Sequence, residues 1–233
     1  SIVIYLTKLG YEVIAVSRDK DKLNALKDKY NCKVISLDLS KEENCIKLHD
    51  IVKEDNIDIL VNNAGFGLFG EFYNTSLETE LNMIDLNIKA VHILTKLFLK
   101  DFMKRDSGYI LNVSSSASFQ AGPLMSTYYS TKAYVTRLTS AIYEELRKNK
   151  SNVHISALCP GPVKTNFNEV ANVSFGIKSI DSDTVAKYGI DQMLKNKLII
   201  IPTTYMKVAV FLNRILPLKL GLKFIYKIQN KKR

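Results

Sequence analysis

Short β-branched runs alternate with amphipathic helical stretches along most of this chain, and that alternation leaves few folds open. Each strand must return to the same edge through a crossover helix, which builds a parallel sheet. Right-handed crossovers then wind helices onto both faces. The expected fold class is therefore α/β, a doubly wound Rossmann-like parallel sheet flanked by helices, with its ligand crevice beyond the carboxyl ends of the strands.

Ser1 to Leu9 reads as the end of a helix closed by Gly10, with the apolar strand Tyr11 to Val16 behind it. Helix Asp19 to Tyr30, strand Cys32 to Leu37, helix Lys41 to Glu54 and the short strand Ile57 to Val61 come next. Apolar residues at Leu81, Ile84, Ile88, Val91, Leu94 and Leu97 predict one long helix from Leu77 to Arg105. After strand Tyr109 to Val113 the pattern gives helix Thr127 to Lys148, strand Val153 to Leu158, helix Ser182 to Leu194 and strand Leu198 to Ile201. Two further helical segments finish the chain. No linker or repeat interrupts the 233 residues, so 1–233 is expected to be a single domain, with 203–233 a basic amphipathic helical extension.

A chain that is 46% hydrophobic and 24% charged belongs with globular proteins rather than with disordered or disulfide-scaffold ones. Cys32, Cys45 and Cys159 lie far apart with no metal-ligand spacing, and His49, His92 and His154 are equally scattered. Neither a zinc site nor a histidine triad is expected. The cysteines are expected to be buried, reduced thiols, in keeping with a cytoplasmic location. No signal peptide is recognisable, and no apolar run approaches the roughly 18 to 20 residues that span a bilayer.

The net charge of +10 comes from lysines spread over most helices without interleaved aromatics, so no nucleic-acid partner is expected. One region departs from that average. Lys207, Arg214, Lys219, Lys223, Lys227, Lys231, Lys232 and Arg233 succeed one another with no acidic residue among them. Beyond Leu216, the apolar Leu218, Leu220, Leu222, Phe224, Ile225 and Ile228 interleave with these lysines. Peripheral contact with a membrane, packing on a partner subunit and packing on this domain's own core are three placements open to such a segment.

The chemistry-bearing residues fall at strand ends. Tyr128-x-x-x-Lys132 sets a phenol and an ammonium one turn apart on a helix face. In a lysine-rich chain with 12 tyrosines that spacing alone means little. Its context is what counts: Asn62-Asn63-Ala64-Gly65 ends one strand, Asn112-Val113-Ser114-Ser115-Ser116 the next, and Pro160-Gly161 the one after. Gly65-Phe66-Gly67-Leu68-Phe69-Gly70 matches the dinucleotide fingerprint, but the acidic residue that should close a second strand, Asp85, falls inside the long helix. Those glycines are expected instead to let a loop turn sharply beside the site.

In this order over Val61 to Thr165, the motifs resemble those of the classical short-chain dehydrogenase/reductase family. The likeness covers nearly the whole chain and is greatest to uncharacterised bacterial short-chain dehydrogenases with a Phe/Gly-rich loop after the paired asparagines. The resemblance implies an oxidoreductase that passes hydride between a nicotinamide and a carbonyl or alcohol, with Ser115, Tyr128, Lys132 and Asn87 as catalytic residues. It implies that Asn87 holds a water relaying protons towards Lys132, and that Lys132 contacts the nicotinamide ribose. By the same resemblance Asp38 and Leu39 flank the adenine, Asn63 sits by the adenosine ribose, and Val163 and Thr165 bind the carboxamide. Ala64, Gly65, Tyr128, Pro160 and Gly161 complete the implied cofactor contacts, and a homo-dimer or homo-tetramer is the family habit. The family also carries a first strand and a Gly-rich pyrophosphate turn that would lie ahead of Ser1, so the chain is expected to be a fragment whose sheet lacks its middle strand.

The residues themselves say what this site would do. A free tyrosine titrates near 10, and an adjacent cation lowers that value, so Lys132 is expected to depress Tyr128 and fit it for acid and base work. Ser115 would donate to the reacting oxygen. An asparagine within a helix, such as Asn87, has local bonding as its other reading.

Ser17 and Arg18 end the strand where a carboxylate would select the unphosphorylated dinucleotide. An arginine there forks onto phosphate, so NADP(H) is expected, a solvent-facing charge being the other reading of Arg18. Phe66, Phe69, Phe72, Phe119, Met125, Phe167 and Phe175 either line an apolar pocket for a small hydrophobic or acyl-linked carbonyl substrate or belong to the core. The rival functions are an NAD-preferring dehydrogenase and a non-catalytic dinucleotide-binding or interaction protein.

Overall fold

The computed structural model describes residues 1–165, Phe167 and 179–230, so that Phe175, Lys231, Lys232 and Arg233 lie outside the described residues. The chain opens with helix α1 (Ile2–Lys8), which ends at Leu9 and Gly10. Gly10 takes φ +88°, the left-handed geometry that a helix-terminating glycine adopts without strain. Strand β1 (Ile14–Ser17), helix α2 (Lys20–Tyr30), strand β2 (Lys33–Ser36), helix α3 (Glu42–Val52) and strand β3 (Ile59–Asn62) then alternate as the pattern requires. Asp19 caps α2 by accepting from the Lys22 N–H at 3.0 Å.

The long helix expected over Leu77 to Arg105 is not continuous. It forms α4 (Leu77–Ile84), a π-helical turn (Asp85–Ala90) and α5 (Val91–Arg105). Periodicity could not signal this, because the widened turn is set by a tertiary contact: Asn87, fully buried, is drawn onto the loop at Phe66. Asp85, at the start of the turn, pairs with Lys89 at 2.6 Å and ends no strand, so the glycine run before it is no dinucleotide fingerprint.

Strand β4 (Gly108–Val113), a 3-10 turn (Ser116–Phe119), helix α6 (Ser126–Lys148), strand β5 (Val153–Leu158), helix α7 (Ser182–Met193), strand β6 (Ile199–Ile200), and helices α8 (Thr204–Ile215) and α9 (Leu218–Asn230) complete the described fold.

Among the described residues the parallel sheet is in two pieces. β1 pairs with β2 from Ile14 opposite Lys33 to Ser17 opposite Ser36, while β3, β4, β5 and β6 pair in that order. The free edges of β1 and β3 border one continuous cleft, at the place where the resemblance calls for a further strand. Side chains along β4 alternate between two core layers, as a pleated strand demands. Ile110 packs with Leu60, Phe98, Phe102 and Ile155 on one face; Leu111 packs with Leu6, Leu158, Ile190 and Met193 on the other. The second layer is tied at its rim, where the Tyr5 hydroxyl donates to Asp191 at 2.6 Å and accepts from Lys187 at 2.9 Å. All three cysteines are free and buried.

Candidate active site

The floor of the site is a buried polar ladder across the carboxyl ends of β3 and β4. The Asn62 amide donates to Asn112 at 2.8 Å and to the Thr95 hydroxyl at 3.1 Å, and Asn112 donates onward to Thr139 at 3.0 Å. A satisfied polar network of this kind fixes registry that apolar packing leaves loose. Here it pins α5 and α6 to the strand ends. Ser114 adds a second tie, its hydroxyl donating to the Lys132 main-chain carbonyl at 2.9 Å and meeting Thr136 at 2.7 Å. The α6 turn that carries Tyr128 and Lys132 is thereby held against the end of β4.

Ser115, Tyr128 and Lys132 converge at the mouth of this floor, and all three line the cleft. The Ser115 side chain lies near enough to the Tyr128 phenol to favour its ionised form. Lys132 is buried, with its ammonium 6.0 Å from the centre of the Tyr128 ring and donating to the Val113 carbonyl at 3.0 Å. Ser17, Arg18, Asp38, Leu39, Asn63, Ala64, Gly65, Pro160, Gly161, Val163 and Thr165 border the same cleft. Of these, Arg18 is exposed; burial pushes the Asp38 carboxyl up, but hydrogen bonds from Ser40 and, after them, the charge of nearby Arg18 hold it below the usual range.

One expectation about this cluster is not met. Burial pushes the Tyr128 phenol up to about 12, against a smaller downward pull from the neighbouring Ser115 hydroxyl. Burial also brings Lys132 down to about 8. A nearby cation lowers a phenol only when attraction exceeds the cost of burying the phenolate, and here desolvation is the larger effect. At neutral pH both groups are therefore in their protonated forms, a phenol beside an ammonium.

Asn87 is the one candidate that does not border the cleft. It stands directly behind Gly65, its amide oxygen accepting from the Phe66 N–H at 3.1 Å and its amide nitrogen donating to the Phe66 carbonyl at 2.9 Å and to Thr131 at 3.1 Å. The local-bonding reading is thus replaced by a tertiary one. Gly65 admits no side chain, since a Cβ there would stand 2.8 Å from Asn87 Oδ1 and 3.4 Å from Lys132 Nζ. Asn87→Ala deprives the part-buried Phe66 N–H and carbonyl of their partner and leaves a gap at a fully buried position, which together cost about 2–4 kcal/mol. The melting temperature is expected to fall by roughly 5–15 °C, read by calorimetry; an unchanged value would mean that the loop is held elsewhere.

The aromatic residues divide. Phe66, Met125 and Phe167 line the cleft, and the Phe167 ring sits 5.3 Å from that of Tyr128. Phe69 packs into the cluster behind them with Met83 and Tyr129. Phe119 belongs to a core layer with Ala157 and Cys159, and Phe72 is exposed on the surface. Sequence reasoning missed Gln229 altogether. This residue of α9 is 1% exposed, borders the cleft, and donates from its amide nitrogen to the Tyr129 hydroxyl, while its amide oxygen is buried without a partner. Gln120 also borders the cleft and lies near the Tyr129 hydroxyl, so polar groups gather beside the apolar wall.

Comparison with known proteins agrees with this geometry. The family model described as short chain dehydrogenase matches residues 1–174, and the chain belongs to that family. An uncharacterised oxidoreductase of Staphylococcus epidermidis is 29% identical over 189 residues, covering 78% of this chain and 79% of that protein. A short-chain dehydrogenase from Sphingobium yanoikuyae, solved in complex with NADPH, superposes with a TM-score of 0.79 at 25% identity, over 88% of this chain and 83% of the other. A short-chain dehydrogenase/reductase from Burkholderia phymatum, solved in complex with NAD, shares the fold with a TM-score of 0.82 at 20% identity, over 91% and 87% of the two chains. The protein is an oxidoreductase of the short-chain dehydrogenase family that uses a nicotinamide dinucleotide.

Proposed function

We propose that this chain is an NADP(H)-dependent carbonyl reductase or alcohol dehydrogenase acting on a hydrophobic or acyl-linked substrate. The observation that carries the reading is the convergence of Ser115, Tyr128 and Lys132 in one cleft, whose far rim holds Ser17 and Arg18. The residues present suit a dinucleotide. Gly65 keeps the backbone clear beside Lys132, and Arg18 with the Ser17 hydroxyl offers a donor set for a phosphate at the end of β1. The nicotinamide, when bound, supplies or takes up the hydride.

The chain's own groups do the rest. Tyr128, protonated at neutral pH, gives its proton to the carbonyl oxygen during reduction. Ser115 donates a hydrogen bond to that same oxygen and so helps carry the charge developing on it. The Lys132 ammonium stabilises the phenolate left behind and meets the ribose, and Asn87 takes the relay position implied by the resemblance. Asp38, Leu39, Asn63 and Ala64 serve the adenosine half, and Pro160, Gly161, Val163 and Thr165 the nicotinamide half. Phe66, Met125 and Phe167 favour a non-polar substrate.

Fluorescence titration with both reduced dinucleotides tests the cofactor choice. NADPH is expected to bind more tightly than NADH, and Arg18→Ala to weaken NADPH roughly 10- to 100-fold, the worth of a charge-assisted contact, while leaving NADH within about twofold. Equal or better use of NADH by the unaltered chain would overturn the assignment.

A further inference from the structure

Helices α8 and α9 present to solvent the most apolar surface among the described residues, and it is a basic one. On α8, Val208, Phe211, Leu212 and Ile215 recur at helical spacing along one face and are 52%, 63%, 53% and 68% exposed. On α9, Leu218, Leu220 and Phe224 are 71%, 56% and 60% exposed. Lys219, Lys223 and Lys227 form an exposed stripe one turn apart beside them, with Arg214 exposed at the end of α8. No acidic residue follows Asp191 in the sequence. Among the described residues, no lysine or arginine beyond Lys187 enters an ion pair.

We infer that this face docks on an anionic lipid surface. The combination selects its occupant. A twofold contact with a second copy would set the same positive stripes against each other without a counter-charge. A nucleic acid would meet the charge but leave the apolar ridge unburied. The headgroup region of an anionic bilayer accepts both, with the ridge in the acyl boundary and the lysines among the phosphates. No described helix is long and apolar enough to cross a membrane, so the contact lies in the plane of the interface. Leu212, Leu216, Leu220 and Phe224 border the cleft as well as solvent, so docking sets the mouth of the site beside the lipid. This inference does not depend on which carbonyl is reduced.

Vesicle flotation of the full chain tests it, comparing pure phosphatidylcholine with phosphatidylcholine mixed with phosphatidylserine. The chain is expected to float with the mixed vesicles and to partition about tenfold less onto the neutral ones, or onto mixed ones in high salt. The double change Val208→Ser with Phe211→Ser and the charge reversal Lys219→Glu with Lys223→Glu each remove about tenfold of the partition, with dinucleotide binding and the thermal transition unchanged. Absence of protein from every vesicle fraction overturns the inference, as does undiminished binding by the charge-reversed variant. So does a dimer, seen by analytical ultracentrifugation, that the Val208/Phe211 variant dissolves and vesicles fail to displace.

Discussion

Tyr128→Phe is expected to cut turnover roughly 100- to 10,000-fold, the range carried by a positioned general acid, while the dinucleotide still binds within about twofold. The substitution deletes one oxygen from a ring that is otherwise held by Phe167 and Tyr129, so the shape of the wall is preserved. Single-turnover measurement with a hydrophobic ketone separates the two effects, because the hydride step slows while the binding amplitude stays. Retained turnover would mean that another group donates the proton. The Ser115 hydroxyl, also an acceptor from the Ala117 N–H at 3.1 Å, would be the next to examine.

Lys132 carries the second large effect, and its direction follows from burial. The group falls from 10.5 to about 8 on folding, so it is charged below about 8 and neutral above. If the ammonium supports the phenolate formed in reduction, kcat/KM must fall as pH rises through about 8, since that ratio reports the free enzyme. Lys132→Met is expected to remove the alkaline limb and at least about 100-fold of the rate. Stability moves the other way. Between about 8 and 10.5 the unfolded chain binds a proton that the folded one has released, so this group makes stability rise with pH across that window and costs stability below it. The cost at pH 7 is on the order of 3 kcal/mol, against about 1 kcal/mol for the hydrogen bond to Val113 that the variant loses. Lys132→Met should therefore melt higher than the parent at neutral pH. A flat alkaline profile together with an unchanged melting temperature would show that the ammonium is neither needed nor strained.

The layers of this fold were legible because their cause is periodic. The stop at Gly10 acts where the pattern located it; the helix read from Asp19 starts one residue later with Asp19 as its cap, and the strand read over Tyr109 to Val113 alternates between two layers at Ile110 and Leu111. The cluster of Ser115, Tyr128 and Lys132 was legible for a related reason, since parallel strands bring the residues at their carboxyl ends together.

What stayed hidden depends on distance in space. The widened turn at Asn87 answers to a loop 21 residues earlier in the chain, and no periodicity records that pull. Spacing put a cation one turn from Tyr128, yet the direction of the phenol's titration was decided by how deeply both groups are buried. Phe66, Phe72 and Phe119 all stand in loops at the carboxyl edge, and only the fold separates cleft, surface and core. Gln229, set among lysines in a basic stretch, reads as solvated until α9 is laid across the site.

That last residue has a mechanical consequence. With its amide latched to Tyr129, one position along from the proposed acid, the final turn of α9 cannot lift without uncoupling the back wall of the cleft. The outer side of the same turn belongs to the basic, greasy face. One helical turn thus carries both a residue bonded to the wall of the cleft and, on its other side, the Lys227 that belongs to the proposed lipid-facing surface.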